Sequence, residues 1–163
     1  MDVKALLEGQ LSSGEWILGK AIEDLSDADC LAALPEGGTT VNWCVGHLAT
    51  SEDWFLKLLT GAETALSEET HAKYKAGQSP TSNADDYPGK ADVWGMFQAQ
   101  RKRVLDALEK DDPGTWDDPA PEGLPPLFQT RGSIWGLMAT HQYWHLGQIM
   151  SIRRMVGKPP ALG

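Results

Sequence analysis

Apolar residues recur at intervals of three and four along four stretches of the chain, the period of a helix with one buried face. Val3 to Leu25 places Leu7, Leu11, Leu18, Ile22 and Leu25 near one side and Glu8, Glu15, Lys20 and Asp24 elsewhere. Val41 to Thr60 forms the second stretch, with Thr39 or Thr40 as its cap and Gly61 in the position of a terminating glycine. Ala91 to Lys110 carries Val93, Phe97, Val104 and Leu108 in a stripe and is stopped by Asp111, Asp112 and Pro113. Ser133 to Val156 is the fourth, with Ser133 as expected cap, Arg153 and Arg154 where cations suit the helix dipole, and Gly157 and Pro159-Pro160 at its end.

The connections differ in length and chemistry. Ser26 to Thr40 holds Pro35-Glu36-Gly37-Gly38; Glu63 to Lys90 is long and polar, with turn signals at Ser79-Pro80 and Pro88-Gly89 and a short helix expected around Ser67 to Lys75. Lys110 to Arg131 is rich in Pro, Gly and Asp, and only Leu127 to Thr130 reads as extended. No strand alternation flanked by hairpin turns occurs. The pattern predicts an all-α four-helix bundle of helices about 30 Å long. Long loops after the second and third helices leave room for crossover connections.

Size and charge narrow this further. The chain has 163 residues, which makes residues 1–163 one domain. Its net charge of −9 argues against nucleic acid and anionic membrane as partners, both of which select basic surfaces. A hydrophobic content of 41% supports a packed core. The two cysteines, Cys30 and Cys44, make no disulfide framework, and Met1 to Leu11 lacks the basic and apolar regions of a signal peptide, so a cytoplasmic location is expected. Gly132 to Ile152 runs 21 residues without a charged side chain, long enough to span a bilayer. Its His, Gln, Thr and Ser content fits burial inside a bundle better.

Four histidines carry the candidate chemistry: His47, His71, His141 and His145. Ile134, Met138, His141, His145, Ile149, Ile152 and Val156 follow one helical stripe, apolar except for its two histidines. His141 and His145 are one turn apart, so both rings project from the same face. Desolvation and mutual repulsion predict neutral imidazoles there. On the second helix Trp43, His47, Trp54 and Leu58 share a stripe, so His47 also points inward. Three neutral imidazoles converging in an apolar bundle make a transition-metal site with an open position for water or substrate. Imidazole suits Zn, Ni and Fe alike. The bland alternative is that each histidine is a core residue bonded to a carbonyl.

Other readings are weaker. His71 stands among Glu68, Glu69 and Lys73 and reads as a surface residue; Glu52 and Asp53 share no face with His47 and read as solvated. Cys44, one turn before His47, reads as a small buried residue rather than a fourth ligand. Trp43, Trp54, Tyr143 and Trp144 are candidates for a pocket wall or for the core. His141-Gln142-Tyr143-Trp144-His145 lacks the Glu of a zinc protease, and only Glu68 and His71 have the spacing of a di-iron carboxylate motif. No general base for hydrolysis is evident.

Two segments resemble a known family. Thr40-Val41-Asn42-Trp43-Cys44-Val45-Gly46-His47-Leu48-Ala49 resembles the second helix of the DinB/YfiT-like superfamily, with its W-x-x-x-H-L pattern. His141-Gln142-Tyr143-Trp144-His145-Leu146-Gly147-Gln148-Ile149 resembles the H-x-x-x-H-x-G-Q of its fourth helix, and Arg153 to Pro160 is similar to the usual ending. The resemblance implies a four-helix bundle with a divalent metal, Zn or Ni, on positions matching His47, His141 and His145, and a homodimer. Some members of that family are metal-dependent enzymes, while most have no assigned reaction. One version is a thiol S-transferase using bacillithiol, mycothiol or glutathione as a low-molecular-weight co-substrate; the other is a metal-dependent hydrolase. A module that binds metal or a small-molecule ligand without turnover, and a purely structural bundle, remain as the alternatives.

Overall fold

A computed structural model describes residues 2–35, 38–77 and 80–162. Among them are six α-helices: α1 (Val3–Ile22), α2 (Asp27–Leu31), α3 (Val41–Thr60), α4 (Glu68–Lys73), α5 (Lys90–Lys110) and α6 (Arg131–Met155). No strand occurs among the described residues; the extended Leu127–Thr130 segment makes one isolated antiparallel bridge, Thr130 with Pro119. The expected turns at Glu36-Gly37 and at Ser79 lie outside the described residues.

The helix ends follow capping chemistry. Thr40, not Thr39, caps α3 by accepting from the Trp43 amide, and Gly61 closes it at φ 72° in the left-handed region that glycine adopts without strain. The cap of α6 is Thr130 rather than the expected Ser133. The two form a reciprocal capping box, each side chain accepting the other's amide, so the helix starts earlier. α1 ends at Ile22 because Ser26 and Asp29 form a second capping box that starts α2, a helix the pattern did not predict. The Lys90 ammonium closes this corner by donating to the Ile22, Glu23 and Leu25 carbonyls. The short α4 starts on the Ser67 cap inside the predicted range.

The four long helices form the bundle. α5 and α6 each pack against both α1 and α3, so consecutive α1 and α3 sit on one diagonal and α5 and α6 on the other. Side-chain pairings give the directions. Glu52 meets Arg101 and Asn42 meets Pro88, so α3 and α5 run parallel. Gln142 meets Gln10 and Arg153 meets Ala21, so α6 runs parallel to α1. Parallel neighbours need crossovers, which the long 61–89 connection provides between α3 and α5.

The core falls into two apolar clusters. One gathers Leu18, Val41, Leu48, Phe97, Ile149 and Ile152; the other gathers Leu11, Phe55, Val104, Ile134, Trp135 and Met138. Toward the middle lies a buried polar layer. Arg101 on α5 is ion-paired with Glu52 on α3 and donates to the Leu11 carbonyl of α1 and to Gln142 Oε1 of α6 at 2.9 Å. No helix among the described residues is long and apolar enough to cross a membrane.

Candidate metal centre

α3 and α6 run antiparallel, which carries His47 across from the His141–His145 turn. Each of the three residues offers one ring nitrogen, and these atoms lie within 4.8 Å of one another. Ring centroids are 4.7 Å apart for His141 and His145, 5.0 Å for His47 and His145, and 5.2 Å for His47 and His141. Trp43 stacks on His47 with centroids 4.6 Å apart and ring planes nearly parallel, and fixes the plane of that ring.

Hydrogen bonds set the tautomers. His47 Nδ1 lies 2.8 Å from the Tyr74 carbonyl, which only accepts, so Nδ1 carries the proton and Nε2 is bare. His145 Nδ1 lies 2.7 Å from Gln148 Oε1, so its Nε2 is bare as well. His141 Nε2 is 3.0 Å from His145 Nε2. Two bare nitrogens at that distance repel unless a proton or a cation lies between them. Carbonyl partners on the outer nitrogens with inner nitrogens converging is the arrangement by which proteins orient imidazole ligands, so the donor set fits a divalent transition metal.

Electrostatics agree. Burial, helped by His145 and His47, pushes His141 down to about 3. Burial and His47 push His145 down to about 4, against the opposing bond to Gln148. Burial also lowers His47, against the bond to Tyr74. All three rings are therefore neutral near pH 7, the state a metal requires.

A cavity of about 680 Å³ opens on His47 and His141. Trp54, Phe55, Phe128, Leu137 and Trp144 give it apolar walls, with Thr50, Ser51, His71 and Lys75 as polar points. No described residue lining it carries a carboxylate. Of the aromatic candidates, Trp54 and Trp144 line the cavity and Trp43 backs His47. Tyr143 does neither, because its hydroxyl donates to the Gln10 carbonyl at 3.0 Å. Cys44 is buried, its thiol pushed up to about 12 by burial and set 3.6 Å from Gln148 Oε1, outside the cluster of ring nitrogens.

Three expectations are corrected. Glu52 and Asp53 are not solvated but 2% and 0% exposed. Glu52 belongs to a buried stripe with Val45, Ala49, Leu56 and Leu59, a signal present in the spacing. His71 is not a free surface residue: its Nε2 is 3.0 Å from Asp53 Oδ2 and its ring lines the cavity. His71 and Asp53 are 18 positions apart on different helices, so no periodicity links them.

Gly46 ties packing to the site. A Cβ there would stand 2.1 Å from the Tyr74 ring, and the Tyr74 carbonyl holds His47. Gly46→Ala is expected to cost about 1–3 kcal/mol through overpacking. It is also expected to weaken metal binding about 10–100-fold, as loss of an imidazole's orienting partner does. Urea unfolding and metal titration against a competing chelator measure the two effects.

A family model described as the DinB superfamily matches residues 16–149. The fold is similar to that of a conserved protein from Enterococcus faecalis, 18% identical, with a TM-score of 0.80 over 97% of this chain and 99% of that one. It is also similar to YfiT from Bacillus subtilis, described as a probable metal-dependent hydrolase with an unusual four-helix bundle topology. There the identity is 21% and the TM-score 0.67, over 96% of this chain and 89% of that one. No curated protein matches the chain.

Proposed function

The chain belongs to the DinB superfamily, and on that premise we propose that His47, His141 and His145 hold a divalent transition metal, zinc or nickel, and that the protein is a metal-dependent hydrolase of small apolar substrates. The observation that carries this reading is the convergence of three imidazoles, two with their outer nitrogens bonded to carbonyl oxygens, at the end of an apolar cavity. The description of YfiT, similar in fold, points the same way. When bound, such a metal supplies Lewis acidity and lowers the pKa of a water or a thiol in its open position.

The chain's own groups do the rest. Trp54, Phe128 and Trp144 take up an apolar or aromatic substrate body by excluding water. Trp43 and the Tyr74 carbonyl keep His47 in place. The same site with a thiol in place of water would make the protein a thiol S-transferase. The cavity favours water. Among the described residues lining it, Lys75 and His71 are the amine and imidazole groups besides the cluster, and His71 is engaged by Asp53. Bacillithiol, mycothiol and glutathione bear carboxylates or sugar hydroxyls that this wall gives few partners.

Hydrolysis of 4-nitrophenyl esters of short acyl chains tests the reading. The metal-loaded protein is expected to turn them over, the chelated protein to fall to the buffer rate, and added zinc or nickel to restore the activity. A rate indifferent to chelation would overturn it.

A further inference from the structure

We infer that His71, held by Asp53, is the group that takes the proton from the attacking water in this cavity; the inference rests on the hydrolytic reading above. Asp53 lies inside the protein with its carboxylate surrounded by donors. Oδ1 accepts from the Ala65 amide at 2.9 Å and is ion-paired with Arg103. Oδ2 accepts from the Leu66 amide at 2.9 Å and faces His71 Nε2 at 3.0 Å. A carboxylate so placed is an acceptor, so the His71 proton sits on Nε2. His71 Nδ1 then carries a lone pair, with no protein partner among the described residues. The ring lines the same cavity as His47 and His141 and is 26% exposed, so a small molecule can reach it.

The other polar groups of the wall are unsuited to the task. Lys75 as an ammonium has no lone pair. Thr50 donates to the His47 carbonyl at 3.2 Å, and Ser51 lies 3.5 Å from His47 Nε2. The Tyr74 hydroxyl points away, donating to Asn42 Oδ1 at 3.3 Å. An imidazole backed by a buried carboxylate is the usual composition of a general base, because the carboxylate both orients the ring and stabilises the imidazolium that forms.

The step balances without redox change. One O–H bond of a cavity water breaks and its proton goes to His71 Nδ1. The oxygen pair bonds to the acyl carbon, and the carbonyl π pair moves to its oxygen. The carbonyl then re-forms as the bond to the leaving oxygen breaks, and that oxygen takes the proton back from Nδ1. Ester and water become acid and alcohol. Asp53 is a positioning residue throughout.

His71→Gln separates this role from mere latching, because the Gln amide can still donate to Asp53 but cannot accept and return a proton. The metal-loaded variant is expected to keep its metal and its KM while kcat for 4-nitrophenyl esters falls about 10²–10⁴-fold. Added imidazole is expected to restore part of the loss. Long-range ¹H–¹⁵N correlation on ¹⁵N-histidine-labelled metal-loaded protein, in mildly alkaline solution, is expected to place the His71 proton on Nε2. A proton on Nδ1, an unchanged kcat in His71→Gln, or metal lost with the activity would each overturn the inference and leave the hydrolytic reading standing. A wild-type protein that holds metal but hydrolyses no ester would overturn both.

Discussion

Replacing His141 by alanine is expected to take the protein from about one equivalent of divalent metal to almost none, since a three-histidine site has no spare protein ligand. His141 faces both partners: its Nε2 is 3.0 Å from that of His145, and its ring lies against His47. It also opens on the cavity, so its loss removes metal and one wall of the substrate space together. The helix should survive, because alanine is a strong helix former and His141 is only half-buried. Metal analysis of protein purified without a histidine tag, beside circular dichroism of both proteins, checks this. Full metal content in His141→Ala would remove the site from consideration. Gln148→Ala makes a graded comparison. It keeps all three rings but leaves His145 Nδ1 without its acceptor, and a loss of about 10–100-fold in affinity is expected.

Arg101→Met is expected to cost about 3–5 kcal/mol, the usual penalty for removing one member of a buried ion pair. Against a total stability of about 5–15 kcal/mol, that brings the protein close to unfolding. Arg101 is 1% exposed, with its guanidinium at a point where all four long helices meet. Its Nε donates to Glu52 Oε1 at 3.0 Å, and Nη1 donates to the Leu11 carbonyl and to Gln142 Oε1. Gln142 Nε2 in turn donates to the Gln10 and Ala139 carbonyls, each at 2.9 Å. Gly14 makes room for this layer, because a Cβ there would stand about 2 Å from the Gln142 amide group. Methionine fills the volume but leaves the Glu52 carboxylate in the interior without its cation. Burial already raises the pKa of Glu52, and its Oε2 has no hydrogen-bond partner. Without Arg101 the carboxyl must take a proton or draw in water. Urea denaturation measures the cost. The double variant Glu52→Leu with Arg101→Met is expected to recover much of it, because the two losses share one interaction and do not add. A single variant within about 1 kcal/mol of wild type would contradict this account of the layer.

The two networks differ in how far the sequence disclosed them. Glu52, Arg101 and Gln142 each interrupt a run of apolar residues at helical spacing, so the spacing marks them as inward-facing. Arg101 falls in step with Phe97, Val104 and Leu108. Their pairing was not legible, since it depends on which helices adjoin. The His71–Asp53 pair gave no such signal. His71 lies on a six-residue helix in a polar connection, and a helix that short carries too little periodicity to show which side is inside. The backbone amides of Ala65 and Leu66 donate to the buried Asp53 carboxylate and so tie the connection to α3 beside the cavity. Only a long-range contact could reveal that.

Local information by itself determined the four long helices, a threonine cap and the Gly61 stop for α3, and the inward aim of His47, His141 and His145. Each follows from interactions between residues a few positions apart: the 3.6-residue period, the unsatisfied amides of a first turn, the one-turn spacing of two imidazoles. The tertiary structure alone decided the diagonal placement of consecutive helices, the ring nitrogens meeting within 4.8 Å, the Arg101 layer and the capture of His71 by a buried carboxylate. These depend on which surfaces meet after crossover connections have turned the chain. Burying apolar faces drives that choice without direction, and local sequence pattern does not encode its outcome.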